Sequence, residues 1–321
     1  METKLIEAPR MVRETAKRSP FIEANTSEVT LSHLNEDCII PVFSKDNEVC
    51  ISHQAFIENV YDAVKDFYKG ETVGKPAIRV SHIIKGRTPE AIHKPVSELT
   101  DSDRTMYYER MIFNIEIPTV HRDISGNSLC LSVCGCKSHG RDNLSGKLSA
   151  QKFSLAVGFI NQVCTNQCLT TDGFMEEIRC THSEDLYKGA LNLFRHYNAD
   201  RHIQMMQSLG NVSMSEHQFC QILGRMRLYN YLNSNQQRNL PKLLITDSQI
   251  NNVARQYLQD ENFAGTDKGI SMWKFYNLLT GANKNSYLDM FLTRSLNATE
   301  VSYGLSQALQ GKDMAYEWFI K

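Results

Sequence analysis

The chain has 321 residues, enough for one large core or two modest ones. It is 41% hydrophobic and 22% charged, the balance of a globular protein rather than of a disordered or fibrous one. Its 35 Lys and Arg against 36 Asp and Glu leave a formal net charge of −1, which excludes a globally basic binder of nucleic acid or membrane and restricts any phosphate-binding surface to a local patch.

No run nears the roughly 18 apolar residues of a bilayer span. The stretch Met1 to Arg10 lacks the apolar core of a secretory signal. The expectation is a cytoplasmic protein without membrane contact, its nine cysteines mostly reduced.

Residues 1–37 are polar, mixed in charge and without a sustained period, and read as a loosely attached polar N-terminal arm. Cys38 to Phe43 is a short β-like run whose proline points to an edge strand. From Ser52 to Tyr68 the pattern turns helical, with Phe56, Val60, Ala63, Val64 and Phe67 on one face and Gly70 as a stop. Ala77 to Ile84 reads as a strand that runs into a basic loop, Lys85 to Pro89. A weakly signalled helical turn follows around Ser102 to Tyr107.

Arg110 to Lys137 reads as a hairpin. Met111, Phe113, Ile115 and Ile117 alternate with Ile112, Asn114 and Glu116, and Leu129, Leu131 and Val133 alternate with Cys130, Ser132 and Cys134. The stretch Arg122 to Ser128 between them carries the Gly and Asn that a turn needs. One apolar face per strand predicts an antiparallel sheet covered on one side. Lys152 to Val163 and Glu176 to Thr181 supply two further strands.

From Ser183 the period becomes helical, with Leu186, Ala190, Leu193, Phe194 and Tyr197 in one stripe. Ser213 to Glu216 has the form of a capping box opening a helix that contains Phe219, Ile222, Leu223 and Met226. Thr246 to Gln249 opens another, followed by Ile250, Val253, Ala254, Tyr257 and Leu258 at helical spacing. Met272 to Leu279 is a short helix ended by Thr280-Gly281. Tyr287 to Leu309 gives one broken helix or two short ones, with Gly311 as a stop. The predicted class is α+β: an antiparallel sheet region over 38–181, then a helical region over 182–321 packed on it.

Three blocks carry a family resemblance. They are Ile78 to Glu90 continuing to Tyr107 to Pro118, the stretch around Val163-Cys164-Thr165-Asn166, and Thr280 to Arg294 with Trp318-Phe319 at the end. Together they resemble a domain-of-unknown-function family of Bacteroidetes proteins, often carried on mobile elements. More distantly, the Cys-Thr-Asn element is similar to that of phage/plasmid-like proteins. The resemblance implies a mobile-DNA setting, with DNA or RNA and other mobile-element proteins as partners, and brings no reaction, substrate or cofactor. The chain departs from the family pattern at Cys134-Gly135-Cys136, which argues against a role for those two thiols.

Two constellations of side chains have the composition of a chemical site. Cys130, Cys134 and Cys136 share one strand face, His139 lies just beyond, and Cys164 and Cys168 stand four apart. Neither spacing is the C-x₂-C knuckle of zinc sites, and reduced cysteines commonly pack as small hydrophobes, so no metal or cofactor is expected. Cys164, Asn166 and a distant histidine supply the types for a nucleophile, but no strained elbow surrounds the cysteine. Walker, dinucleotide, zinc-protease and EF-hand motifs are all missing from the sequence.

The basic segments weigh more. Arg79, Lys85, Arg87 and Lys94 fall close together, and Lys137, Arg141, Lys147 and Lys152 follow the hairpin with Asp142 opposing them. Glycines in both segments would let backbone amides approach phosphate, and Tyr107 and Tyr108 would offer stacking faces. Polar loops are, however, commonly just solvated by such charge. The expected function is a non-enzymatic mobile-element accessory protein contacting single-stranded nucleic acid through these residues. Its rivals are an enzyme using a cysteine/histidine set or another polar cleft, and a pure protein-interaction module.

Overall fold

The computed structural model describes residues 19–38, 50–142 and 150–321. Residues 1–18 of the expected arm, most of the strand expected at 38–43, and Lys147 lie outside them. Residues 19–37 are not loosely attached. β1 (Ser27–Val29) is a strand of the main sheet, α1 (Leu31–Glu36) is capped by the Thr30 side chain, and Phe21 and Ile22 are buried. A three-residue strand and two lone apolar side chains leave no period to read in the sequence.

α2 (His53–Phe67) starts where Ser52 Oγ accepts from Ala55 N, and it buries Phe56, Val60, Ala63 and Val64 of the expected face together with Ile57, whereas Phe67 at its last turn is exposed. The strand expected over 77–84 is two strands in two sheets. β2 (Ala77–Val80) belongs to the main sheet, whereas β3 (Ile83–Arg87) pairs with β4 (Arg104–Tyr108) in a separate antiparallel ribbon. The division falls at Ser81, whose N–H donates to Arg110 O and whose Oγ accepts from Arg110 N, both at 3.0 Å. The basic loop is thus mainly strand, and the expected helical turn is a short 3₁₀ turn, Asp101–Asp103, followed by β4.

β5 (Arg110–Ile124) and β6 (Asn127–Ser138) form the expected hairpin, with Phe113 opposite Gly135 and Ile115 opposite Val133. Phe113, Ile115 and Leu131 are buried. The strands run further than expected, to a two-residue turn at Ser125 and Gly126 with φ of 48° and 81°. That pair of positive φ values suits the right-handed twist of a tight hairpin. The register shifts between Ile117 and His121, around Pro118, which has no N–H to give the ladder. β7 (Gln151–Asn161) pairs with β6, and β8 (Gln167–Cys168) and β9 (Phe174–Cys180) share its far edge. The order is β1-β2-β5-β6-β7-β8, with β9 also on β7 and every pairing antiparallel.

The second half is helical. α3 (Glu184–His196) follows the expected stripe, and α4 (Ala199–Gly210) follows it directly. The next capping box lies two residues later than expected, at Ser215 and Gln218, because Ser213 and Met214 form β10 (Ser213–Met214), which pairs with β11 (Ile270–Ser271). α5 (Glu216–Tyr229), α6 (Ser234–Arg238) and α7 (Asp247–Gln259) come next, the last opened by the expected Thr246/Gln249 box. α8 (Met272–Asn283) runs through Gly281. α9 (Leu288–Leu309) is one unbroken helix of 22 residues. Its Gly304 is a packing residue rather than a break, since a Cβ there would lie 2.0 Å from the Tyr316 ring. α10 (Glu317–Ile320) closes the chain.

The sheet is covered on both faces, not one. α2, α3 and α4 lie over Met111, Phe113, Ile115, Leu131, Phe153 and Phe159; Phe56 of α2 meets the Phe113 and Phe153 rings at 5.1 and 4.8 Å. The other face carries Ile112, Cys130, Cys134, Cys136, Ala156 and Ile160, and the start of α9 lies on it through Leu288, Phe291 and Leu292. Small thiols and alanine let the helix approach closely, and they escape a reading that counts only large apolar residues. The first core continues without interruption into α5, α7 and α8, so the helical half packs on the sheet as predicted.

Candidate functional site

Most of the basic and aromatic residues singled out from the sequence are engaged in structural contacts. Tyr107 and Tyr108 are 1% and 5% exposed and cannot offer stacking faces. The Tyr107 hydroxyl accepts from His53 N at 2.8 Å, its ring stacks on His53, and the Tyr108 hydroxyl meets His33 Nε2 at 2.8 Å. Lys137 points into the core at 0% exposure. Its Nζ contacts Asp142 Oδ2 at 2.5 Å and lies 4.3 Å from the Phe153 ring centre. Burial pulls its pKa down and the Asp142 carboxylate opposes that pull. Lys137 therefore shares no surface with Lys85.

Arg79 donates twice to Thr26, at 2.8 Å each, tying β2 to the segment before β1. Arg87 donates to Lys94 O at 2.6 Å, and Lys94 pairs with Asp103 at 2.7 Å, so both organise the loop between β3 and β4. Arg141 reaches Ser154 Oγ at 3.3 Å. Lys85 remains exposed on β3.

Cys134 and Cys136 are buried in the sheet, and Cys164 is partly buried beside it. Burial raises the Cys134 pKa well above its ordinary value and pushes Cys136 up to about 12. The Cys136 thiol donates to Leu288 O at 3.2 Å. Cys164, pushed up to about 11 by burial, has Asn277 Oδ1 rather than a histidine as its hydrogen-bond partner, at 3.8 Å. A thiol held protonated is a poor nucleophile and a poor ligand. Among the described residues, no group of three His, Cys, Asp or Glu is placed to hold a metal, and no helix is long and apolar enough to cross a membrane.

An open cleft of about 730 Å³ lies where the sheet meets the helices. One wall is the point where the chain leaves β2 and enters β5, bringing His82 and Arg110. A second is the start of α7, with Thr246, Ser248, Asn252 and Arg255. The third is the α8–α9 corner, with Asn285, Tyr287 and Arg294, and Asn25 closes the end. Three arginines from three separate elements thus converge, and Arg110 among them is paired with the carboxylate of Asp289. Its Oδ1 lies 3.5 Å from Arg110 Nε, joining the sheet to the first turn of α9. Arg294 also feels the Asp289 charge, whereas Lys284 turns the other way, into the core.

The corner between α8 and α9 is clamped. Gln249 Nε2 and Arg294 Nη1 both donate to Ser286 Oγ, at 2.9 and 3.0 Å, and Ser286 Oγ donates to Asn283 Oδ1 at 2.6 Å. On its far side the buried Lys284 ammonium donates to Cys164 O and to Thr165 Oγ1, the latter at 2.8 Å. Thr165 has φ +58°, and its hydroxyl donates to backbone oxygens of the 19–20 segment. The Cys-Thr-Asn element is therefore a bracket that joins the N-terminal segment, the sheet and α8. Partial burial lowers the Arg294 pKa, which Asp289 offsets, and Arg294 Nε is buried without a hydrogen-bond partner. A guanidinium so placed favours an incoming anion.

The family model described as "Domain of unknown function, B. Theta Gene description (DUF3871)" matches residues 3–320. The chain belongs to this family. No curated protein and no solved structure matches it. Two of the three blocks that carry the resemblance meet in the cleft: the first brings Ser81, His82 and Arg110, and the third brings Ala282, Asn285, Tyr287, Leu288 and Arg294. Arg110, Arg255 and Arg294 are far apart in the chain, so a search for clustered charge passes over them. The available signal was that Arg110 and Arg294 each stand inside a block.

Proposed function

We propose that the cleft holds a segment of single-stranded nucleic acid by its phosphates. The observation that carries this reading is the convergence of Arg110, Arg255 and Arg294 on one open cleft. Arginine suits the task because its planar donors match phosphate oxygens in pairs. The start of α7, a helix of 13 residues, adds the hydroxyls of Thr246 and Ser248 to the cleft wall. A volume of about 730 Å³ is within the usual range of enclosed ligand sites and leaves room for about one or two nucleotides of one strand, not for a duplex. An accessory role on mobile DNA, alongside other proteins of such an element, is the setting that goes with this binding.

The test is a titration of a fluorescently labelled single strand at increasing salt. Three phosphate contacts give a log–log slope of about −2, from roughly −0.7 per phosphate. Absence of binding at micromolar protein and low salt would remove the proposal.

A further inference from the structure

We infer that the cleft also reads a nucleobase: one unpaired base stacks on Tyr287 and is hydrogen-bonded by the amides of Asn285 and Asn25, an inference that rests on the phosphate-binding reading above. Exposure alternates along the α8–α9 corner. Lys284 and Ser286 are buried, at 5% and 0%, whereas Asn285 and Tyr287 face outward, and Tyr287 is 72% exposed. The two buried members carry the clamping hydrogen bonds: Ser286 accepts from Gln249 and Arg294 and donates to Asn283, and Lys284 donates to Thr165 and Cys164 on the other side. The backbone that presents Asn285 and Tyr287 is thus held before any ligand arrives, which lowers the ordering cost of binding.

The side chains suit a base in kind as well as in position. An outward tyrosine contributes little to folding, and its ring can stack on the face of any base. A carboxamide sets a donor beside an acceptor, which matches the paired groups on an adenine edge best. Asn25 and Asn285 are both exposed on the cleft wall. Asn252 is otherwise engaged, its Oδ1 accepting from Arg255 Nη2 at 2.6 Å and so orienting that guanidinium. The base position therefore adjoins the arginines, as base and phosphate adjoin in a nucleotide.

The test compares three labelled strands of equal length: oligo-dA, oligo-dT and an abasic strand with the same phosphates. Oligo-dA binds roughly 5- to 150-fold more tightly than the abasic strand, the span expected for stacking one base. Oligo-dT falls between them. Tyr287→Ala removes most of the difference between oligo-dA and the abasic strand at an unchanged salt slope, while Tyr287→Phe keeps the difference. An unchanged melting temperature in both variants shows that the fold is intact. If the wild-type protein binds all three strands equally, base reading is overturned and phosphate binding stands. If it binds none of them at micromolar concentration and low salt, both readings fall together.

Discussion

Lys137 and Arg255 carry the same formal charge and meet opposite fates. Lys137 lies in one of the two basic segments of the sequence, yet it is withdrawn from solvent against Asp142, Phe153 and Lys152 O. Arg255 has no charged neighbour in the chain, yet it stands exposed on a cleft with two further arginines. The difference is one of periodicity. Lys137 belongs to a β-strand whose partner positions are occupied on both sides, so its side chain has to enter a core. Arg255 lies on the outer side of an amphipathic helix whose Val253 and Tyr257 take the inner one. Charge density along a chain therefore says little about charge density on a surface, because the fold decides which cations are neutralised inside.

The largest effect should come from breaking the buried pair. Asp142→Ala leaves Lys137 without its counter-ion and removes an acceptor from Lys152 N, which lies 2.8 Å from Asp142 Oδ1. A loss of about 3–5 kcal/mol is expected for such a change, read from urea unfolding. Replacing Lys137 and Asp142 together by apolar residues should cost clearly less, and equal costs would show that packing rather than the unpaired charge decides. Phe113→Ala, which empties a site packed against Phe56, should cost ~3–5 kcal/mol by the same assay.

Acid should destabilise the fold through its buried histidines. Burial lowers the pKa of His53 and His139 and takes His202 down to about 3. Each folded-state value lies below the unfolded one, so the unfolded chain takes up protons first. The stability is complete above pH ~6.5, the unfolded value, and is lost as pH falls below it, by up to about 1.4 kcal/mol per unit for each histidine. The urea midpoint should drop between pH 7 and pH 5, and His202→Gln should make the fall shallower. A midpoint that stays flat over that interval would contradict the buried, neutral assignment. The smallest effect on stability is expected for Arg255→Ala, within about ±0.5 kcal/mol, as for an exposed side chain with one local hydrogen bond.

The hairpin, the strands around Lys152 and Glu176, and most helices were legible because each carries a sustained period of two or of 3.6. What escaped had no period to show. β1 and β8 are too short, Ser81 divides two strands with a single hydroxyl, and the second face of the sheet is built from Cys and Ala. The site was less legible than the fold. Tyr107 and Tyr108 look like surface aromatics in sequence, and only their register opposite Ile84 and Ile83 in β3, beside His53 and His33, shows them to be inside. The cleft joins Asn25, Arg110, Arg255 and Arg294, and no local pattern announces residues brought together from so far apart.

The most direct test sets the two groups of cations against each other in one assay. Binding of a labelled single strand is measured as a function of salt for the wild-type protein, Arg255→Ala and Lys85→Ala, the last being an exposed cation of the basic segment. Loss of one phosphate contact should weaken binding by Arg255→Ala and flatten its log–log salt slope by roughly 0.7, while Lys85→Ala keeps the wild-type affinity and slope. Wild-type behaviour in Arg255→Ala, with the flattened slope appearing in Lys85→Ala instead, would place the binding surface on the β3–β4 ribbon and contradict the assignment to the cleft.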